Sequence, residues 1–479
     1  MVDWLLLWNN LFSVAFNLVY ISMIVSTIIV IILDNRNPVK TIAWVLILIF
    51  IPLVGIIFYF FFGKNIRRER MLSRSGYRQL ENYPKKSYLA NEATHNALRL
   101  SPVQQFFLRT NASFPFENNK IRFFTQGGDF LIDLLHTLQG AKHHIHMEYY
   151  IIEDDAVGRL IKDVLIDKAR EGVEVRFLYD DVGCWRVPNA FFEGMREAGI
   201  EARAFMKVRF PLFTSKVNYR NHRKITVVDG KYGYVGGMNL ALRYVRGVKW
   251  GVWRDTQMFI SGRSVYGLQS TFLLDWYFSD RSLITASAYY PCIPAEGNIT
   301  LQIATSEPIG EWKEIMQGLI MAITTAKKYF YIQTPYFLPS DTILYALQTV
   351  ALAGVDVRVM LPKIYDNRLI GFASCSYVAD LLRAGVKVYF YEKGFLHSKM
   401  MVSDNFFSTV GTTNMDFRSF EHNFEVNALI YNAATAHQLK TIFLNDQKDC
   451  MSVEEQKWAA RSRWQKGLES VIRLFAPLL

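Results

Sequence analysis

Cysteine is scarce in this 479-residue chain. Its four copies, Cys184, Cys292, Cys375 and Cys450, lie far apart and form no C-x-x-C pair. That gives poor support to a disulfide framework and to a structural zinc site, and agrees with a reducing compartment. No low-complexity linker divides the chain. Charge is missing altogether from two long runs, Leu11 to Leu33 and Ile42 to Phe62. About 20 helical residues rising about 1.5 Å each cover the ~30 Å hydrocarbon core of a bilayer, so each run is long enough to span one. The connector from Asp34 to Thr41 is short and carries Asn and Pro, which predicts a helical hairpin. A cleavable signal peptide is the weaker reading of the first run, because no basic segment precedes it and no small-residue cleavage site follows.

What is present in excess is positive charge. The formal net charge is +11, which by itself suits a nucleic-acid footprint. Its location argues otherwise. Lys64, Arg67, Arg68, Arg70, Arg74, Arg78, Lys85 and Lys86 stand against only Glu69 and Glu81 directly after the second apolar run. Basic residues beside a membrane mark the cytoplasmic side, so this segment and the catalytic part after it are expected there, with the N-terminus on the same side. Such residues are also drawn to anionic headgroups by about 1 kcal/mol each. A topology determinant without lipid specificity fits the same residues equally well.

The chemistry is carried by a repeated pattern, HxKxxxxD. His222, Lys224 and Asp229 form one copy, and His397, Lys399 and Asp404 the other. Residues two apart on a strand share a face, so each histidine is expected beside its lysine. Each copy runs into a β-prone stretch and then a small-residue turn ending in asparagine, Asn239 in one and Asn414 in the other. His222 and His397, Lys224 and Lys399, Asp229 and Asp404, Gly236 and Gly411, and Asn239 and Asn414 are all 175 residues apart. Upstream, the run from Gly172 to Leu178 matches that from Gly354 to Met360. Strands alternating with helices predict parallel sheets covered on both faces, here as two halves of an internal duplication.

A phosphodiester resists attack because it is anionic, so an enzyme acting on it without a metal needs cations and hydrogen-bond donors around the phosphoryl oxygens. Lys224, Lys399, Asn239 and Asn414 supply them. One histidine can attack phosphorus and form a phosphohistidine, while the other protonates the leaving alcohol and later deprotonates the incoming one. Either His222 or His397 can be the nucleophile. Asp229 and Asp404 lie far along their strands from the histidines, which suits a structural role better than proton transfer. Tyr149, Tyr150 and Tyr336 are placed near the expected sheet edge, with core packing anticipated for at least one of them.

The paired motifs resemble the phospholipase D superfamily, whose two motifs face each other across one cleft. The segment from Arg36 to Trp44, the apolar run ending Phe62-Gly-Lys-Asn65, and the C-terminal sequence from Leu468 to Leu479 are similar to bacterial cardiolipin synthases. The resemblance implies an α/β fold of two duplicated phospholipase D-like halves forming one catalytic unit behind a transmembrane hairpin. It also implies an acidic residue beyond each motif that orients a histidine, for which Asp255 and Glu425 are the candidates. Neither a metal nor an organic cofactor is implied. The implied reaction joins two phosphatidylglycerol molecules into cardiolipin and glycerol in the bacterial inner membrane, with phosphatidylglycerol and anionic membrane lipid as partners and no nucleic acid. A lipid-hydrolysing or other phosphatidyl-transferring member shares every such residue, and a nuclease of the superfamily is disfavoured by the apolar runs.

The expected organisation is a multi-pass hairpin over 1–63, a basic juxtamembrane segment over 64–119, a first half over 120–290, a second half over 291–435, and a tail over 436–479. In that tail Trp464, Leu468, Val471, Ile472 and Phe475 fall on one helical stripe. Such a helix either lies in the lipid interface or packs on the catalytic core.

Overall fold

The computed structural model describes residues 2–34, 38–59, 100–208 and 219–476, with side chains in the first stretch from residue 12. The chain divides into two units, Met1–Arg70 with Val208–Asn218, and Met71–Lys207 with Tyr219–Leu479. The basic segment over 64–86 lies outside the described residues.

In the first unit, the helix Val2–Asp34 contains the apolar stretch Phe12–Leu33, 22 residues or about 33 Å of helix. Among the described residues it is the one helix long and apolar enough to cross a membrane. Over its described residues the second apolar run is not one continuous helix. It is helical over Pro38–Phe50, leaves helical geometry at Ile51 (φ −139°, ψ 67°), and resumes over Pro52–Phe58. Proline cannot donate the interior helical bond but suits the first helical position, which is where Pro52 stands. The two pieces pack closely, Trp44 meeting Tyr59 edge-on at 5.5 Å, and Ile31, Leu48 and Tyr59 form a small core.

Over its described residues the second unit is built on one 16-stranded sheet with two separate two-stranded ones. Its first half contributes β1 (Phe116–Phe124), β2 (His144–Tyr149), β3 (Glu174–Asp180), β4 (Glu201–Phe205), β5 (Arg220–Asn221), β6 (Lys224–Val228), β7 (Tyr232–Gly236), β8 (Val252–Arg254) and β9 (Gln257–Ser261). The second contributes β10 (Ile299–Ser306), β11 (Tyr329–Gln333), β12 (Phe337–Leu338), β13 (Asp356–Pro362), β14 (Lys387–Tyr391), β15 (Gly394–Leu396), β16 (Met400–Ser403), β17 (Phe407–Gly411), β18 (Met415–Asp416), β19 (Asn423–Tyr431) and β20 (Cys450–Ser452). The order is β20-β14-β13-β11-β16-β17-β19-β10-β1-β9-β7-β6-β2-β3-β4, the halves meeting at the antiparallel β1–β10 pair.

The duplication is therefore present, but the expectation of parallel sheets holds only in part. β2, β3 and β4 run parallel, as do β11, β13 and β14. The motif strands form antiparallel hairpins, β6 with β7 and β16 with β17, because turns this short can only reverse the chain. Alternation along β6 sends Ile225 and Val227 into a core with Leu268, and Val228 into another with Leu134 and Tyr234.

Two expected boundaries move. The helix Pro102–Asn111 is closed by a Ser101–Gln104 capping box with Pro102 inside it, and buries Val103 and Phe107 in the second half's core. Residues 100–119 thus belong to the catalytic unit and not to a juxtamembrane segment. At the other end, Ala433–Gln447 buries Leu439 and Phe443 beneath the sheet, and β20 extends it beside β14, so the second half continues past 435.

The C-terminal helix Arg463–Arg473 packs on one side and is open on the other. Ile472 is buried, Glu469 pairs with Arg461 at 2.7 Å, and Arg473 pairs with Asp380 at 2.8 Å. Trp464 is 84% exposed, and Leu468, Val471, Leu474 and Phe475 are exposed with it.

Candidate active site

Each motif histidine sits just before a hairpin, held from its own half by the chain and from the other half by a carboxylate. β5 pairs parallel with β19, and the His222 amide donates to the Phe424 carbonyl at 3.0 Å. β15 pairs parallel with β8, and the His397 amide donates to the Arg254 carbonyl at 2.7 Å. These crossed pairs bring Glu425 to His222 Nδ1 at 3.0 Å and Asp255 to His397 Nδ1 at 2.6 Å. The sequence gives both acids but not this exchange. With Nδ1 bonded to a carboxylate, Nε2 of each ring is left for chemistry.

The two acids are supported differently. Glu425 accepts bonds from Thr412 Oγ1 and, at 3.1 Å, from Asn423 Nδ2. The shorter Asp255 accepts from the Thr256 amide at 2.7 Å. A Cβ on Gly237 would lie 2.1 Å from an Asp255 carboxylate oxygen, so only glycine fits there without displacing the carboxylate.

Lys224 Nζ donates to the His222 carbonyl at 2.6 Å, and Lys399 does the same to His397. Asn239 Oδ1 accepts from the Ile151 amide at 3.1 Å, its Nδ2 donates to Tyr244, and Asn414 lines the cavity beside the histidines. Asp229 and Asp404 do not line it. Both occupy left-handed turn positions (φ 53° and 54°), which Asp tolerates better than most residues, and their carboxylates accept the amides of 142–144 and 327–329. They fasten each motif hairpin to the start of the neighbouring strand, β2 or β11. Tyr150 and Tyr336 line the cavity, whereas Tyr149 is buried with its hydroxyl 3.0 Å from Thr226.

The cavity between the halves measures about 300 Å³ and is also lined by Arg243, Tyr244, Trp253, Asp366 and Arg418. These were not singled out from the sequence, although Arg243 and Arg418 continue the 175-residue offset. Among the described residues no group of three or more His, Cys, Asp or Glu side chains is arranged to hold a metal ion.

Burial governs the charge states. It lowers His222 to about 4 against the pull of Glu425, and His397 to about 3 together with Lys399 and against Asp255. Both rings are neutral at pH 7. Burial would raise Asp255 and Glu425, but Lys399 and His397 around the first, and His222 and Lys224 around the second, hold them below the usual carboxylate range. Burial lowers Lys224 to about 7 and Lys399 to about 8. Because kcat/KM reports the free enzyme, its alkaline limb is expected between about pH 7 and 8, as the ammoniums lose the protons that attract an anionic donor. A bound phosphodiester favours the charged lysines, so the limb in kcat should lie higher. Coincident limbs in the two profiles would contradict this assignment.

Beneath the site, Arg223 is fully buried between the motif residues. Its guanidinium bonds Asp275, Glu307 at 3.2 Å and the Glu425 carbonyl at 3.1 Å, tying the first motif to the strand that carries the second half's acid. Removing one partner of a buried ion pair costs about 3–5 kcal/mol. Arg223→Met should therefore lower the thermal midpoint of the solubilised protein by several degrees, while an unchanged midpoint would mean the acids find other partners.

Comparison with known proteins agrees with this geometry. The family described as cardiolipin synthase, PLD-like domain, matches residues 134–249 and 319–447, one segment in each half. Cardiolipin synthase 2 of Bacillus cereus is 41% identical over 461 residues, covering 94% of this chain and 89% of that protein. The chain belongs to the cardiolipin synthase family. The major cardiolipin synthase ClsA of Bacillus subtilis is 38% identical over 481 residues, covering 98% and 99% of the two chains. A phospholipase D-nuclease N-terminal family matches residues 22–64. The fold is shared with a phosphatidylserine synthase from Haemophilus influenzae, at a TM-score of 0.58 and 13% identity over 78% of this chain and 97% of that one. This cardiolipin synthase family member is accordingly a membrane-associated phosphatidyltransferase of phospholipase D type, acting on phospholipid.

Proposed function

We propose that the enzyme condenses two phosphatidylglycerol molecules into cardiolipin and glycerol. The observation that carries this reading is the pair of imidazoles on one cavity, each oriented by the opposite half's carboxylate. Nε2 of one ring attacks the donor phosphorus, while the other ring, which takes a proton on Nε2 as the anionic donor binds, delivers that proton to the departing glycerol oxygen and becomes neutral. The phosphatidyl group then rests on histidine. The terminal hydroxyl of the second lipid gives its proton to the other histidine, its oxygen bonds to phosphorus, and the P–N bond breaks with its electron pair returning to the ring. Asn239 and Asn414 line the cavity where the phosphoryl oxygens would sit, and Lys224 and Lys399, buried against the histidine carbonyls, supply positive charge through both steps. A cavity of about 300 Å³ is at the small end for ligand sites, which suits headgroups and leaves acyl chains outside. Incubating the solubilised protein with phosphatidylglycerol tests the reading. Cardiolipin with free glycerol supports it, and phosphatidic acid alone would replace it with hydrolysis.

The catalytic unit is placed on the cytoplasmic side of the inner membrane, on the strength of the basic residues over 64–86. The exposed face of the C-terminal helix rests in the headgroup layer, because the helix packs on Arg368–Ser376, whose Ile370 lines the cavity. Trp464→Ser with Leu468→Ser should weaken sedimentation with anionic vesicles, most visibly in protein lacking residues 1–63. Undiminished binding would place the docking surface elsewhere.

A further inference from the structure

The duplication does not stop at the asparagines. Four residues beyond them, Arg243 and Arg418 are again 175 apart, and each stands on a short helix, Leu242–Arg246 or Phe417–Glu421, at the wall of the catalytic cavity. The two arginines are treated differently. Arg243 is neutralised by Glu153 and lies over the rings of Tyr244 and Trp253, at 5.5 and 5.3 Å. The half-buried Arg418 side chain forms no hydrogen bond or ion pair with another side chain among the described residues. Its guanidinium is a cation on the cavity wall for which the two transfer steps give no use, since the donor phosphoryl group is already served by the charge of Lys224 and Lys399 and by the two asparagines.

The second substrate of the proposed reaction creates a need for such a group. It must bring a hydroxyl to within about 3–3.5 Å of phosphorus while its own phosphodiester, one glycerol away, carries a negative charge into a site that already holds one. A guanidinium matches two phosphodiester oxygens at once, which an ammonium does not.

We propose that Arg418 anchors the phosphodiester of the acceptor lipid and so selects an anionic acceptor alcohol over glycerol or water. This rests on the reading of the enzyme as a phosphatidylglycerol-condensing transferase. Arg418 moves no proton and makes no covalent bond, so it is a specificity-determining residue and not the nucleophile or the acid.

The test compares two acceptors attacking the same phosphohistidine in the full-length solubilised enzyme. Cardiolipin formation uses the anionic acceptor, and exchange of labelled glycerol into phosphatidylglycerol uses a neutral one. Loss of a charge-assisted contact corresponds to about 10- to 100-fold, so Arg418→Gln should lower cardiolipin formation by that factor, mainly through KM for the acceptor. Glycerol exchange, which shares the donor step and reports folding, should fall by much less. Arg418→Lys should recover part of the difference, because it keeps the charge and loses the fork. An equal fall in both activities, or no fall in either, would overturn the assignment to Arg418 alone. A wild-type enzyme that exchanges glycerol but makes no cardiolipin would overturn the condensation reading, and with it the anionic-acceptor role.

Discussion

Replacing either His222 or His397 with alanine is expected to abolish phosphatidyl transfer, each loss being about as large as that of the double variant. The two rings act in sequence on one phosphorus, and neither can take over the other's step while held by its own carboxylate. Groups acting as a unit are non-additive, so the second substitution should add little to a first loss of about a thousandfold or more. The measurement is single-turnover formation of cardiolipin and of labelled phosphoenzyme. The variant lacking the nucleophile forms no phosphohistidine, whereas the one lacking the acid/base can trap it when the leaving alcohol needs no proton. Near-normal turnover in either correctly folded variant would remove the paired site from consideration.

The second large effect is expected from the acids, and it should cross between the halves. Asp255→Asn should impair the step served by His397, and Glu425→Gln the step served by His222, by about 10²- to 10⁴-fold. In each case an amide replaces a carboxylate that accepts the Nδ1 proton, and can favour the tautomer with its proton on Nε2, the wrong place for attack. If Asp255→Asn reproduced the phosphoenzyme behaviour of the His222 variant instead, the crossed pairing would not govern the chemistry.

The glycines show how far local reading reaches. Gly237 was legible as part of a small-residue turn, yet its reason is the Asp255 carboxylate that a Cβ would strike at 2.1 Å. Its counterpart, Thr412, instead donates to Glu425. The second apolar run is a similar case. Hydropathy reads it as one uninterrupted helix, and Pro52 divides that helix, since a mean over a window does not register one missing amide.

The sequence by itself determined the duplication, its 175-residue offset, the identity of the histidines, lysines, asparagines and acids, and the apolar N-terminal helix. These follow from order and spacing, and a strand or helix expresses spacing locally. Only the tertiary structure decided that His222 belongs with Glu425, 203 residues away, and His397 with Asp255, 142 residues away. It alone joined the two sheets through β1 and β10, buried Arg223 as the tie between halves, and gave Arg243 a carboxylate while giving Arg418 none among the described residues. Two copies of one motif present equivalent surfaces, so nothing local says which acid meets which ring. That choice is made where β5 pairs with β19 and β15 with β8, by backbone hydrogen bonds formed only once the halves are packed together.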